Sequence, residues 1–220
     1  MKGFRKIQQQ FESACGQLLV KRMEMADLTD RAERAFEVLQ ANIDHEVFGR
    51  LYFRRNFDDY RYERVYESRV QGSFNIQTGV RQLGLVSFSD TETPGLEIHR
   101  ESGASITFSQ SPSGDVLVTL HPFKSKLSSV LEEYIAIGHY SRPTKISDRR
   151  LMKLYQRFLR YAMYTSAQYP MSLRAYWYRL WLTYLDARNQ KAPGMVKNSE
   201  RILLLIATVG GFWVSFYNEH

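Results

Sequence analysis

Four cations recur along one stretch of the chain at helical spacing: Arg149, Lys153, Arg157 and Arg160. Residues three and four apart share a helix face, so the four form one stripe. Like charges on one face repel unless an anion or the solvent relieves them. This makes the stripe the clearest site candidate, and its ligands would be nucleic-acid phosphates, anionic lipid headgroups, a phosphorylated small molecule or an acidic partner. Tyr155, Tyr161 and Tyr164 are interleaved with it. Such rings can stack on bases, or simply pack the helix on a neighbour. A plain solvated face is the competing reading.

Catalytic and metal chemistry finds little support. There is no Gly-rich phosphate loop, no dinucleotide fingerprint, no His-Glu-x-x-His and no Gly-x-Ser-x-Gly. No two of the five histidines lie within four residues of each other. His99, Glu101 and Asp115 could meet across adjacent strands as an acid–base or metal cluster. The alternative is a polar-face strand residue beside an unrelated turn residue. Asp58-Asp59 has no third ligand at a recognisable spacing. Cys15 is the single cysteine. It allows no internal disulfide, fits a reducing compartment, and lacks any visible means of thiol activation. The sequence therefore predicts no catalytic residue, no metal and no cofactor.

Charge distribution sharpens the basic region. Residues 142–201 hold thirteen Lys or Arg against three Asp or Glu, which is +10; with +7 overall, the remainder sums to −3. A localised patch says more about a partner than a high pI does. A hydrophobic fraction of 44% argues for a folded chain. The fourteen tyrosines gather in 52–66 and 155–184 and suit half-buried surfaces and interfaces. The N-terminus MKGFRKIQQQ offers no apolar segment, so no secretory signal is expected.

The most apolar stretch is Ile202–Tyr217, ILLLIATVGGFWVSFY, with Lys191, Lys197 and Arg201 before it. As a helix its 16 residues rise about 24 Å against a hydrocarbon core of about 30 Å. A membrane anchor with a cytoplasmic body follows if the basic side stays inside. Ala207, Gly211 and Ser215 would then form a small-residue stripe suited to helix association and oligomerisation. A buried C-terminal helix and a hairpin turning at Gly210-Gly211 are the other two readings.

The remaining elements must carry the basic stripe. Phe4, Ile7, Phe11, Ala14, Leu18, Met25, Leu28, Ala32, Ala35 and Leu39 follow a heptad pattern with Lys21 and Asn42 as exceptions. They predict a long helix or coiled-coil-like arm, with a break near Asp27–Asp30. Tyr60 to Val65 alternates as a strand would. Residues 73–122 read as strands at Phe74–Gln77, Leu83–Phe88, Leu96–Arg100, Ser105–Ser109 and Val116–Leu120. Their buried face would include Ile98, Ile106, Phe108, Val116, Val118 and Leu120. Phe123–Tyr140 is predicted to be helical. Ser147–Tyr164 is predicted as a helix with Leu151, Leu154, Phe158, Tyr161 and Ala162 on one face. A second helix, Ser172–Arg188, is expected to bury Leu173, Tyr176, Trp177, Leu180, Trp181 and Tyr184.

The expected fold is α+β: an N-terminal helical arm (1–50), an antiparallel meander of four to five strands with a covering helix (51–141), a basic aromatic helical pair (142–194) and a terminal apolar, transmembrane segment (195–220). This plan predicts a non-enzymatic, membrane-anchored sensor, effector or adaptor, of a kind that would fit bacterial stress or antiviral defence. Its partners would be the membrane and a second copy or another protein. The alternative is a soluble nucleic-acid-binding or structural subunit of a large assembly.

Overall fold

The computed structural model describes residues 2–44, 48–55, 72–89, 95–127, 132–170 and 172–189. The fold is α+β. Helix α1 (Lys2–Ala41) is followed by strands β1 (Leu51–Arg55), β2 (Ser73–Thr78), β3 (Arg81–Ser89), β4 (Gly95–Ser102), β5 (Ser105–Gln110), β6 (Val116–His121), β7 (Lys124–Ser125) and β8 (Ile135–Tyr140). A 3₁₀ turn (Pro143–Lys145) leads into helices α2 (Asp148–Thr165) and α3 (Leu173–Asn189).

The strands make two antiparallel sheets, ordered β1-β2-β5-β6-β8 and β3-β4-β7. This is not the single meander expected, because β3 and β4 pair with each other while β2 pairs with β5. Strand boundaries between residues 73 and 121 otherwise fall within two residues of the alternation that predicts them. Ile106, Phe108, Val116, Val118 and Leu120 are buried, whereas Ile98, on the smaller sheet, is 45% exposed.

The C-terminal half of α1 and helix α2 cover the five-stranded sheet. An aromatic chain runs through the interface: Phe36 of α1, Phe53 of β1, Phe74 of β2, Phe108 of β5 and Tyr155 of α2, with consecutive ring centroids 5.7, 5.5, 4.5 and 6.5 Å apart. Phe74 and Phe108 are direct cross-strand partners, the pairing that stabilises sheets most effectively. Tyr155 closes the layer by donating its hydroxyl to the Ala32 carbonyl at 2.9 Å. Helix α1 runs without a break. Asp27 and Asp30 turn outward and pair with Arg31 and Arg55 instead of capping a new helix.

The helix predicted over Phe123–Tyr140 is replaced by β7 and β8. A short apolar run cannot be told as helix or strand from periodicity. Here Ile135 and Ile137 flank Ala136, and all three are buried. Val118 pairs with Gly138 and Thr119 with Ala136, so Ile137 is the extra residue of a bulge. As the last strand of its sheet, β8 has an unpaired side. Helix α3 covers it: Asp186 accepts from the Ala136 N–H at 2.7 Å, and Asn189 donates to the Ala136 carbonyl at 3.0 Å.

That attachment fixes the rotation of α3. Ala175, Leu182 and Asp186 are buried. Successive residues advance about 100° around a helix, so Leu173, Trp177, Trp181 and Tyr184 lie on the opposite side. They are 71, 62, 39 and 59% exposed. The face expected to be core is therefore surface.

Candidate anion-binding face

Helix α2 presents two stripes. Leu151, Leu154, Phe158, Tyr161 and Ala162 are buried, as their spacing predicts, and so is Tyr155, which is therefore not placed to stack on a ligand. Ser147 holds the N-cap position in extended geometry but makes no side-chain cap hydrogen bond. Arg149, Lys153 and Arg160 are exposed and Arg157 is half-buried.

Among the described residues none of these four cations meets a carboxylate. Several other cations do pair. Arg31 bridges Asp27 and Asp148, Arg55 meets Asp30 and Glu33, Arg142 meets Glu24, Arg179 meets Glu132, and Lys21 meets Asp115. Among the described residues the stripe is thus a cationic surface with no carboxylate partner.

The structure brings two of its four members together with α3. The Arg157 guanidinium lies 5.2 Å from the Trp181 ring centroid, and that of Arg160 lies 5.6 Å from Tyr178. Both are within reach of a cation–π interaction, which leaves the guanidinium N–H edge free to meet an anion. Arg149 and Lys153 sit nearer the N-terminus of α2 and join no such pair. Tyr178 also donates to the Arg157 carbonyl at 3.1 Å, tying α3 to α2. Its burial pushes the phenol pKa up to about 12.

A recess of about 480 Å³ opens between the helices, lined by Arg160, Tyr164, Arg174, Trp177 and Tyr178. Tyr164 meets Tyr178 and Tyr169 edge-on, with centroids 5.4 and 5.3 Å apart. Two guanidinium groups and three aromatic rings thus line one cavity. Arg174, Trp177 and Tyr178 were missed as site residues. Helix α3 carries large apolar residues around its whole circumference, so no single face identifies itself. The signal that could have found them is polar: Asp186 and Asn189 share a stripe with Ala175 and Leu182, marking the side that meets backbone.

The other candidates do not converge. His99 bonds to Ser87 across 2.9 Å in the smaller sheet. Glu101 is fully buried, pairs with Arg81, and accepts from Ser166 Oγ and the Ala167 N–H at 3.0 Å each. Asp115 binds Lys21 at 3.1 Å. Each has its own structural partner. Among the described residues no three His, Cys, Asp or Glu side chains are placed to hold a metal. Cys15 is exposed on α1. Asp58-Asp59, Tyr60–Val65, the run Ile202–Tyr217 and its stripe Ala207, Gly211 and Ser215 lie outside the described residues. No helix among the described residues is long and apolar enough to cross a membrane.

The chain matches no protein-family model, no curated protein and no solved structure.

Proposed function

We propose that this chain is a non-enzymatic, membrane-anchored binding protein whose α2–α3 face rests on an anionic lipid surface. One observation carries the reading: the exposed row Leu173, Trp177, Trp181 and Tyr184 lies beside Arg157, Arg160 and Arg174. Aromatic and apolar side chains flanked by cations match the headgroup boundary, where indole and phenol rings partition and each nearby Lys or Arg adds about 1 kcal/mol. Twelve residues of sequence separate the end of α3 from Ile202–Tyr217. In this reading that segment anchors the protein, the body is cytoplasmic, and Ala207, Gly211 and Ser215 mediate contacts between anchors. Such a body would sense or bind a partner at the membrane and act as an effector or adaptor.

The test is an alkaline carbonate wash of membranes holding the full chain or a chain ending at Glu200. Retention of the full chain in the pellet, with a soluble and folded truncation, is the expected result. A soluble full chain with a misfolding truncation would make the segment core and remove the anchor.

The recess favours a second reading, single-stranded nucleic acid. Arg160 and Arg174 could hold phosphates while Trp177 stacks on a base. Binding of a labelled oligonucleotide that falls steeply with salt, and is lost in R157E/R160E, would support it. No binding at low salt would remove it.

A further inference from the structure

Helix α1 is 40 residues long, about 60 Å, yet only part of it meets the body. Its first contacts are at the β5–β6 turn. The Leu18 and Lys21 side chains crowd Gly114, and Lys21 Nζ donates to the Ser113 carbonyl at 2.9 Å and to Asp115 at 3.1 Å. From there Met25, Leu28, Ala32 and Leu39 are buried. Toward the N-terminus, every residue from Phe4 to Gln17 is exposed. Phe4, Ile7 and Phe11 are 81, 64 and 70% exposed.

We infer that this projecting arm pairs with the same arm of a second copy of the chain. The heptad register identifies the occupant as a helix. Phe4, Ile7, Phe11, Ala14 and Leu18 continue, without a stutter, the a and d positions that Met25, Leu28, Ala32 and Leu39 fill against the body. The flanking e and g positions are Gln8, Gln10, Cys15 and Gln17. None is charged, so two identical arms meet without repulsion along the seam. The outer face carries Arg5, Lys6, Gln9, Glu12 and Ser13, a mixed face with basic residues only at its N-terminal end. A free segment of this length is marginally helical by itself and gains its order from packing.

An antiparallel arrangement suits the sizes. It sets the large Phe4 opposite the small Ala14 of the second copy, and Ile7 opposite Phe11. It also separates the basic ends of the arms, where Arg5 and Lys6 lie. Two phenylalanines at about 150–250 Å² each, with Ile7 and Ala14, supply a large share of the ~800 Å² per partner of a specific interface.

The experiment is sedimentation of the full chain in mild detergent, with the detergent density-matched. The wild type is expected at twice the chain mass. F4E/F11E is expected at the single mass with unchanged thermal melting, and F4L/F11L at twice the mass. A wild type at the single mass up to about 100 μM would overturn the inference. So would an F4E/F11E variant that stays dimeric, which would move association to another surface such as Ala207, Gly211 and Ser215. Protection of Phe4–Gln17 from hydrogen exchange in a monomer would overturn it too, because the arm would then be covered by its own chain.

Discussion

Replacing Arg157 and Arg160 by Gln tests the lipid-facing surface most directly. The two guanidinium groups lie over Trp181 and Tyr178, so they share the surface with the rings that would report docking. Each cation close to an anionic leaflet is worth about 1 kcal/mol, so R157Q/R160Q removes about 2 kcal/mol and lowers the docked-to-undocked ratio about 30-fold. The chain has three tryptophans, Trp177, Trp181 and Trp213. In a W213F background all indole emission comes from α3. The assay is quenching of that emission by lipids brominated near the headgroup, with the protein reconstituted into zwitterionic or anionic vesicles. Quenching should be strong in anionic vesicles, weak in zwitterionic ones, and reduced by salt, since exposed charges are screened over about 10 Å at 0.1 M. The variant should behave in anionic vesicles much as the parent does in zwitterionic ones. R149Q/K153Q is the control for charge alone, because those two side chains stack on no ring among the described residues. It should weaken docking without changing Trp181 emission in the absence of vesicles. Equal quenching in both lipids, or an unchanged R157Q/R160Q, would refute the reasoning.

Removing the buried Glu101 carboxylate in E101A takes one acceptor from Arg81, which keeps Ser166 Oγ, and takes the acceptor from Ser166 and the Ala167 N–H. Breaking a buried pair from one side costs about 3–5 kcal/mol, which in a chain of this size lowers Tm by about 10 °C; a drop under about 2 °C would count against the pair as a structural tie. Two buried tyrosines should respond oppositely. Y155F loses the bond to the Ala32 carbonyl and should lose about 1 kcal/mol, whereas Y161F removes a buried hydroxyl with no partner among the described residues and should cost nothing in a urea titration. Tyr178 is neutral in the fold up to about pH 12, while an unfolded tyrosine releases its proton near pH 10. The unfolded state thus loses the proton first, and stability contributed by Tyr178 declines from pH 10 and is gone above 12. Melting measured from pH 9 to 12 should fall less steeply in Y178F; identical slopes would contradict the assignment.

How far the sequence revealed the fold varied by element, for physical reasons. The strands of residues 73–121 announced themselves because one side of the sheet is core and the other is not, so Ile106 and Phe108 alternate with polar neighbours, and Val118 and Leu120 flank Thr119. Helix α2 was legible for the same reason at a period of 3.6. The pairing of β2 with β5 was not, because register between non-adjacent strands is set by tertiary contacts such as Phe74 on Phe108. The strand β8 was misread because its central residues are buried without alternation. Arg149, Lys153, Arg157 and Arg160 were legible as one helical stripe, but the two that lie over rings of α3, Arg157 and Arg160, could not be separated from the others without knowing where α3 lies.

The exposed face of α3 follows from an edge-strand problem. A strand at the end of a sheet offers unpaired N–H and carbonyl groups, and burying them unpaired would cost several kcal/mol. Asp186 and Asn189 satisfy both groups of Ala136, and those two bonds leave α3 one rotation about its axis. A helix turned 180° would bury Trp177 and Trp181 and gain apolar area, but would carry Asp186 into solvent and orphan Ala136. The polar requirement wins because it is specific to one position, whereas the apolar gain is available on either face. The consequence is a surface of tryptophan, tyrosine and leucine beside Arg157 and Arg160. The proposed docking face is thus maintained by residues that do not themselves belong to it.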